Sequence, residues 1–206
     1  MASLDTPQLV AIAAALGWAS GLRLYAVLFL VGMAGRLGWV ELPLGLHVLQ
    51  HPLMLTASGL MLLVEFFADK IPGVDTLWDL LHTLLRIPAG AALAAAVFGA
   101  DQPTAATVAA LLGGTLAATS HFTKATARAA VNTSPEPFSN IGLSLLGDAA
   151  VPGALWLAWT HPWPFFGALA LMLAAMVVTL WMLGRFLRAL LQRIMSVRPA
   201  SKGATG

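Results

Sequence analysis

The sequence predicts an all-α fold, a polytopic transmembrane bundle of about six helices arranged as an inverted repeat of two three-helix halves. Three observations carry this expectation. Hydrophobic residues make up 59% of the 206 positions and charged residues only 10%, where a water-soluble domain carries about a quarter. Apolar runs of roughly 20 residues, enough to cross the hydrocarbon core at 1.5 Å per residue, recur between short polar loops. The sparse basic residues fall near the ends of these runs, as topology signals do. A mean hydropathy of +0.83 agrees.

The first run, Gln8 to Met33, is interrupted by Ser20-Gly21-Leu22-Arg23. An arginine deep in a span is costly, so Arg23 should face protein or water and have a partner. Arg36 and Trp39 mark an interface, and a loop holding Pro43, Gly45, His47, His51 and Pro52 leads back. A second span, from about Leu53 to Phe67, meets Glu65 and Asp69 near its end, where Asp69 and Lys70 fall at headgroup level. Pro72-Gly73 breaks this helix. Asp75 and Thr76 then suit the start of a third, in which Asp75, Asp79, His82 and Arg86 share one face. Pro88 and Gly90 are placed to kink it before Ala91 to Ala100 completes the crossing. Asp101 to Thr104 is a turn. The fourth run, Ala105 to Arg128, is rich in Ala and Gly, which let helices approach closely in lipid. Asn132 to Pro137 reads as a stiff polar loop. The fifth run, Phe138 to Trp159, carries Gly147-Asp148 near its middle and Pro152-Gly153 one turn later; the sixth, Phe165 to Leu183, runs into a tail with Arg185, Arg188, Arg193, Arg198 and Lys202. The membrane domain is placed at residues 1–187, with halves 7–100 and 104–187, and a basic tail at 188–206.

Six crossings put both termini on one side. The positive-inside rule makes that side cytoplasmic, because Lys70, Arg86, Lys124, Arg128 and the tail all face it and Arg36 faces the other. The expected location is the inner (plasma) membrane, with Trp39, Trp156, Trp159 and Trp163 collecting at the outer surface. A net charge of +2 and a pI near 9.5 do not indicate a nucleic-acid partner, since the basic residues sit at membrane ends. The absence of cysteine removes disulfides, thiolate metal sites and cysteine nucleophiles. Asp5 and the lack of Lys or Arg ahead of the first run argue against a cleavable signal peptide. With no Gly-rich phosphate loop and no nucleophilic triad in the sequence, neither enzymatic activity nor a cofactor is expected. His47, His51, His121 and His161 lack ligand spacing and read as loop or interface residues.

The two halves share a faint pattern. Gly59 precedes Glu65 by six residues and Gly142 precedes Asp148 by six; Pro72 and Pro152 follow, and Ser20 before Arg23 parallels Ser120 before Lys124. The blocks GLRLYAVLFLVGMAGRLG, EFFADKIPGVDTLWDLLHTLLRIPAGA and HFTKATARAAVNTSPEPFSNIGLSLLGD resemble those of the bacterial membrane family termed domain of unknown function 4126, over nearly the whole chain up to the tail. The resemblance implies a small polytopic membrane fold and supplies no activity. Glu65 to Lys70, EFFADK, is in addition similar to the Glu-x-Gly-Asp-Lys signature of membrane cation/proton exchangers, from which it departs by an extra residue and a missing glycine.

Chemistry is expected from Arg23, Glu65, Asp69, Lys124, Arg128 and Asp148. Glu65 and Asp69 lie one turn apart and, with Asp148, could hold magnesium, manganese or calcium, or share a proton. Arg23, Lys124 and Arg128, with Ser20, Ser120, Thr123 and Thr126, suit an anion or a lipid phosphate. Asp75, Asp79, His82 and Arg86 would line a vestibule or, the preferred reading, form the polar face of an interfacial helix. The expected function is a small transporter or permease that moves an ion or solute through coupling to its intramembrane carboxylates. The alternatives are a lipid-phosphate binder or flippase and a scaffold whose charges fix helix register. Its partners would be membrane lipids, the small ion or solute, and further copies of the chain.

Overall fold

The computed structural model describes residues 4–132 and 138–196, so the expected loop at 133–137 and the tail beyond Ser196 lie outside the described residues. Six α-helices follow in order: α1 (Thr6–Arg36), α2 (Pro52–Ala68), α3 (Val74–Phe98), α4 (Pro103–Val131), α5 (Phe138–Thr160) and α6 (Pro162–Ser196), with a 3₁₀ turn at Leu44–Gln50 before α2. Among the described residues, five helices are long and apolar enough to cross a membrane when α1 is taken at its full length, six if the 3₁₀ turn and α2, bent by 69°, count as one span. The chain is therefore an all-helical, multi-pass membrane protein.

The first helix departs from expectation. Asp5 caps it reciprocally with Gln8, and Pro7 occupies its first turn, where a missing N–H does no harm. At Arg23, φ −148° and ψ 83° leave the helical region. Both arms then end at the same place: Gln8 Nε2 donates to the Trp159 carbonyl at 3.0 Å, and Trp159 Nε1 donates to the Glu41 carbonyl at 3.3 Å. A straight helix of 31 residues would be roughly 45 Å long, too long for both contacts. The second arm also packs Gly32 on Leu49, while Gly45 of the same turn packs on Ala96 at the end of α3. Thus α1 is a hairpin of two arms, 6–22 and 24–36, with Arg23 at its tip.

The bundle has two ends. At the base lie Gln8, Glu41, Ala96 and Trp159; at the tip lie Arg23, Asp69 and Asn132. The first arm of α1 runs parallel to α4, as Gly17 meets Gly113 and Gly21 meets Ser120. α3 and α4 form an antiparallel pair from Asp75–Asn132 through Thr83–His121 to Ala94–Gly113. α6 descends from the base to reach the level of Arg128 at Thr179. Because α1 turns back, its start lies at the base, whereas α6 runs toward the tip.

Small residues allow the hairpin to sit in the centre. A Cβ on Gly17 would lie 2.5 Å from Gly113 Cα, and one on Gly90 would lie 2.6 Å from Ala117 Cβ. Such contact replaces the hydrophobic drive that lipid removes. Ile12, Leu16, Val27, Val31, Leu46, Val97 and Phe165 fill the base-end core. Outside, Leu60, Phe67, Leu77, Leu84, Leu111, Leu146 and Leu171 are exposed, an apolar surface suited to hydrocarbon.

Candidate functional site

The tip of the hairpin enters a continuous ion network. Arg23 Nη1 lies 2.9 Å from Asp69 Oδ2 and Nη2 lies 2.8 Å from Asp148 Oδ1; Nη2 also donates to Ser144 Oγ at 2.9 Å and to its carbonyl at 3.1 Å. Breaking a helix frees carbonyls that need donors. Lys124 Nζ supplies one, donating to the Leu22 carbonyl at 2.9 Å, and Ser120 Oγ donates to the Trp18 carbonyl at 2.7 Å. A cation at the end of the first arm also complements that arm's dipole.

Asp69, the C-cap of α2, faces Arg23, Lys124 at 2.9 Å and Arg128 at 2.7 Å. Burial alone would raise its carboxyl; Lys124, Arg128 and Arg23 outweigh burial and hold it well below the usual carboxylate range. Asp79 meets Lys124 at 3.2 Å, Arg128 at 3.4 Å and Arg86 at 2.6 Å, and Arg86 closes on Glu65 at 2.8 Å. At the other edge Lys70 reaches Asp148 at 2.9 Å. The chain of pairs runs from Lys70 through Asp148, Arg23, Asp69, Lys124 with Arg128, and Asp79 to Arg86 and Glu65. Five cations face four carboxylates, leaving one positive charge in excess.

All six residues expected to carry the chemistry belong to this network, in a different arrangement from the one foreseen. Glu65 does not adjoin Asp148; it pairs with Arg86. Each carboxylate of the metal candidates Glu65, Asp69 and Asp148 already faces a cation, and among the described residues no group of three or more His, Asp or Glu is placed to hold a metal ion. The interfacial reading of Asp75, Asp79, His82 and Arg86 is overturned: all four are buried. In lipid the polar stripe of a helix turns inward, because water is absent outside. Asp75 binds the Asn132 amide at 3.1 Å and joins α3 to α4; His82 meets the Tyr25 hydroxyl at 3.1 Å. Asp69, expected at headgroup level, is fully buried, and His121, expected in a loop or interface, is buried against Thr83 and Arg86. Sequence reasoning missed Ser144 and Asn132. Ser144 precedes Asp148 by one helical turn, a signal that could have found it.

A family profile described as a domain of unknown function (DUF4126) matches residues 10–182. The chain belongs to the DUF4126 family. The matched span includes every member of the ion network. Neither a curated protein nor a solved structure matches this DUF4126 chain.

Cavities flank the network of the DUF4126 chain. A groove of about 290 Å³ between α1, α4, α5 and α6 is lined by Trp18, Arg23, Lys124, Arg128, Ser144 and Gly147 beside apolar residues of α5 and α6. The carboxylates of the network do not line it. On the opposite side of Arg128, a cavity of about 220 Å³ between α3 and α4 is lined by Asp79, Thr83 and His121. At the base, Trp39, Trp156 and Trp159 border an apolar cavity of about 420 Å³.

Proposed function

We propose that this protein is a membrane carrier for a small anion, bound by Arg23, Lys124 and Arg128. One observation carries the reading: the groove at the hairpin tip is lined by these three cations and by none of their carboxylate partners. Buried charge demands compensation, and an anionic ligand supplies it to the three cations on the side that faces the groove. Carriers commonly build their sites at broken helices near the middle of the bundle, and Arg23 occupies such a break. Asp148 then acts as a place-holder that yields Arg23 to the ligand. This reading replaces coupling through free carboxylates, because Glu65 and Asp69 are committed to cations. It is the reading of a carrier, not an enzyme.

The orientation follows from charge. Lys70, Arg185 and Arg188 belong to the tip end and Arg36 to the base, so the tip faces the cytoplasm of the inner membrane and the N-terminus faces outward. α2 runs opposite to α5 and α3 opposite to α6. Inverted halves would therefore pair 24–98 with 103–186 and leave the first arm of α1 as an addition.

Proteoliposomes test the proposal. Anion-dependent flux of chloride, phosphate or a short carboxylate should appear with wild type and disappear in Arg23→Gln and Lys124→Gln reconstituted to the same level. Flux equal to that of empty liposomes for every anion would discard the carrier in favour of a scaffold.

A further inference from the structure

Resting on the anion-carrier reading, we infer that the ligand is an amphiphile: a phosphate or carboxylate head bearing a hydrocarbon chain, entering the groove sideways from the bilayer. The head is specified by donors. Trp18 Nε1, Arg23 Nε and Arg128 Nε are buried N–H groups without an acceptor, and all three residues line the groove. Each is at most 2% exposed, so water does not readily replace the missing acceptor, and such donors are costly to leave unmade. Gly147 keeps one of them open. A Cβ there would lie 3.7 Å from Arg23 Nε, and glycine, which also lines the groove, puts no side chain over that donor. Three cations with three spare donors match an oxyanion, which accepts several hydrogen bonds at once.

The chain is specified by the walls. Leu22, Leu143, Leu146, Ala150, Met172 and Met176 complete the groove. A small hydrated anion gains nothing from this apolar surface, whereas a hydrocarbon chain does, and methionine adapts to chains of varied shape. Leu146 is 65% exposed while lining the groove, so the cavity opens on the lipid-facing surface. At about 290 Å³ it sits at the lower edge of small-molecule pockets, roughly 300 Å³ and upward; it holds a head and a few carbons while the rest of the chain lies along α6. Depth fits as well. Lys124 and Arg128 stand within the last two turns of α4, which ends at Val131, about 10 Å from the helix end at most. A lipid head reaches them with a short excursion from its own leaflet.

The experiment uses the full chain in phosphatidylcholine micelles. It is titrated with short-chain phosphatidic acid, with phosphatidylcholine of the same chain length, and with inorganic phosphate, while thermal unfolding and retained lipid are followed. Phosphatidic acid should bind at least about tenfold more tightly than phosphatidylcholine, and inorganic phosphate should shift unfolding little. Arg23→Gln should lose the shift. Because that variant also removes ion-pair partners, Ala175→Phe is the decisive one: Ala175 lines the groove, is exposed on α6, and has no charged or hydrogen-bonding side chain to lose. It should keep the wild-type melting temperature without ligand and lose at least about tenfold in phosphatidic acid affinity. Equal binding of the two lipids, or an undiminished shift in Ala175→Phe, overturns the inference. Inorganic phosphate acting as strongly as phosphatidic acid overturns the amphiphile and keeps the small-anion carrier; no response to either anion discards both.

Discussion

Arg86 and Arg23 are both buried arginines that each hold two carboxylates, yet their surroundings differ. Around Arg86, Glu65 and Arg86 itself are wholly inaccessible and Asp79 is 3% exposed. Around Arg23, Asp148 is 20% exposed, its second partner Lys70 is 19% exposed, and a groove opens alongside. Arg86 also leaves Nε unpaired, as Glu65 leaves Oε2, but neither residue lines any of the cavities described. The contrast teaches that intramembrane charge alone does not mark a binding site. A sealed pair fixes helix register; a pair with an accessible edge and spare donors can exchange partners.

The sharpest way to break this contrast is Glu65→Gln. Removing Glu65 leaves the wholly buried Arg86 with Asp79 alone, at about 3 kcal/mol, so unfolding in detergent should shift strongly, far more than for Asp148→Asn. The double change Glu65→Leu with Arg86→Met should return most of that loss, because an apolar replacement leaves no stranded charge. Equal losses for Glu65→Gln and Asp148→Asn would erase the distinction between the two ends.

A smaller effect, about 2 kcal/mol, is expected for Asp69→Asn, since Asp79 still faces Lys124 and Arg128. Its pH dependence has a defined sign. The folded Asp69 carboxyl lies below its ordinary value, so its stabilisation is complete above the unfolded value of about 3.9 and is lost as pH falls toward the folded one. The gap in melting temperature between wild type and Asp69→Asn should stay constant from neutral pH to about 5 and narrow below about 4. A gap that closes between pH 6 and 7 would instead make Asp69 a proton carrier.

Much of this was legible in the sequence. Apolar run length gave α2 to α5 to within a few residues, though α6 runs on past the expected Leu183 to Ser196, and rarity of charge singled out six of the nine residues that the network joins. The turn of α1 was not legible. Ser20-Gly21-Leu22-Arg23 contains no proline, and the break is held from outside, by Lys124 on the Leu22 carbonyl and by Asp69 and Asp148 on Arg23. The stripe from Asp75 to Arg86 was legible as a face but not as a side. The sequence period is the same whether water or protein covers it, and only the packing of α4 and Glu65 against it decides. Lys70 was likewise readable as a terminal lysine; that it folds back over the Phe66 ring at 3.2 Å to reach Asp148 is tertiary.

The smallest expected effect on stability tests the open edge most finely. Lys70 and Asp148 are each about one-fifth exposed, so Lys70→Ala should change unfolding by about 1 kcal/mol or less. Its effect on ligand should be opposite to that of Asp148→Asn. Lys70 draws Asp148 away from Arg23; without it the carboxylate pairs wholly with the guanidinium and competes better with an incoming anion. Asp148→Asn removes the competitor. Phosphatidic acid affinity should therefore fall in Lys70→Ala and rise in Asp148→Asn, each by about fivefold if the pair is worth about 1 kcal/mol. Movement of both in the same direction would mean that Asp148 only braces α5 against the hairpin, and the open end would then be a lock like the sealed one.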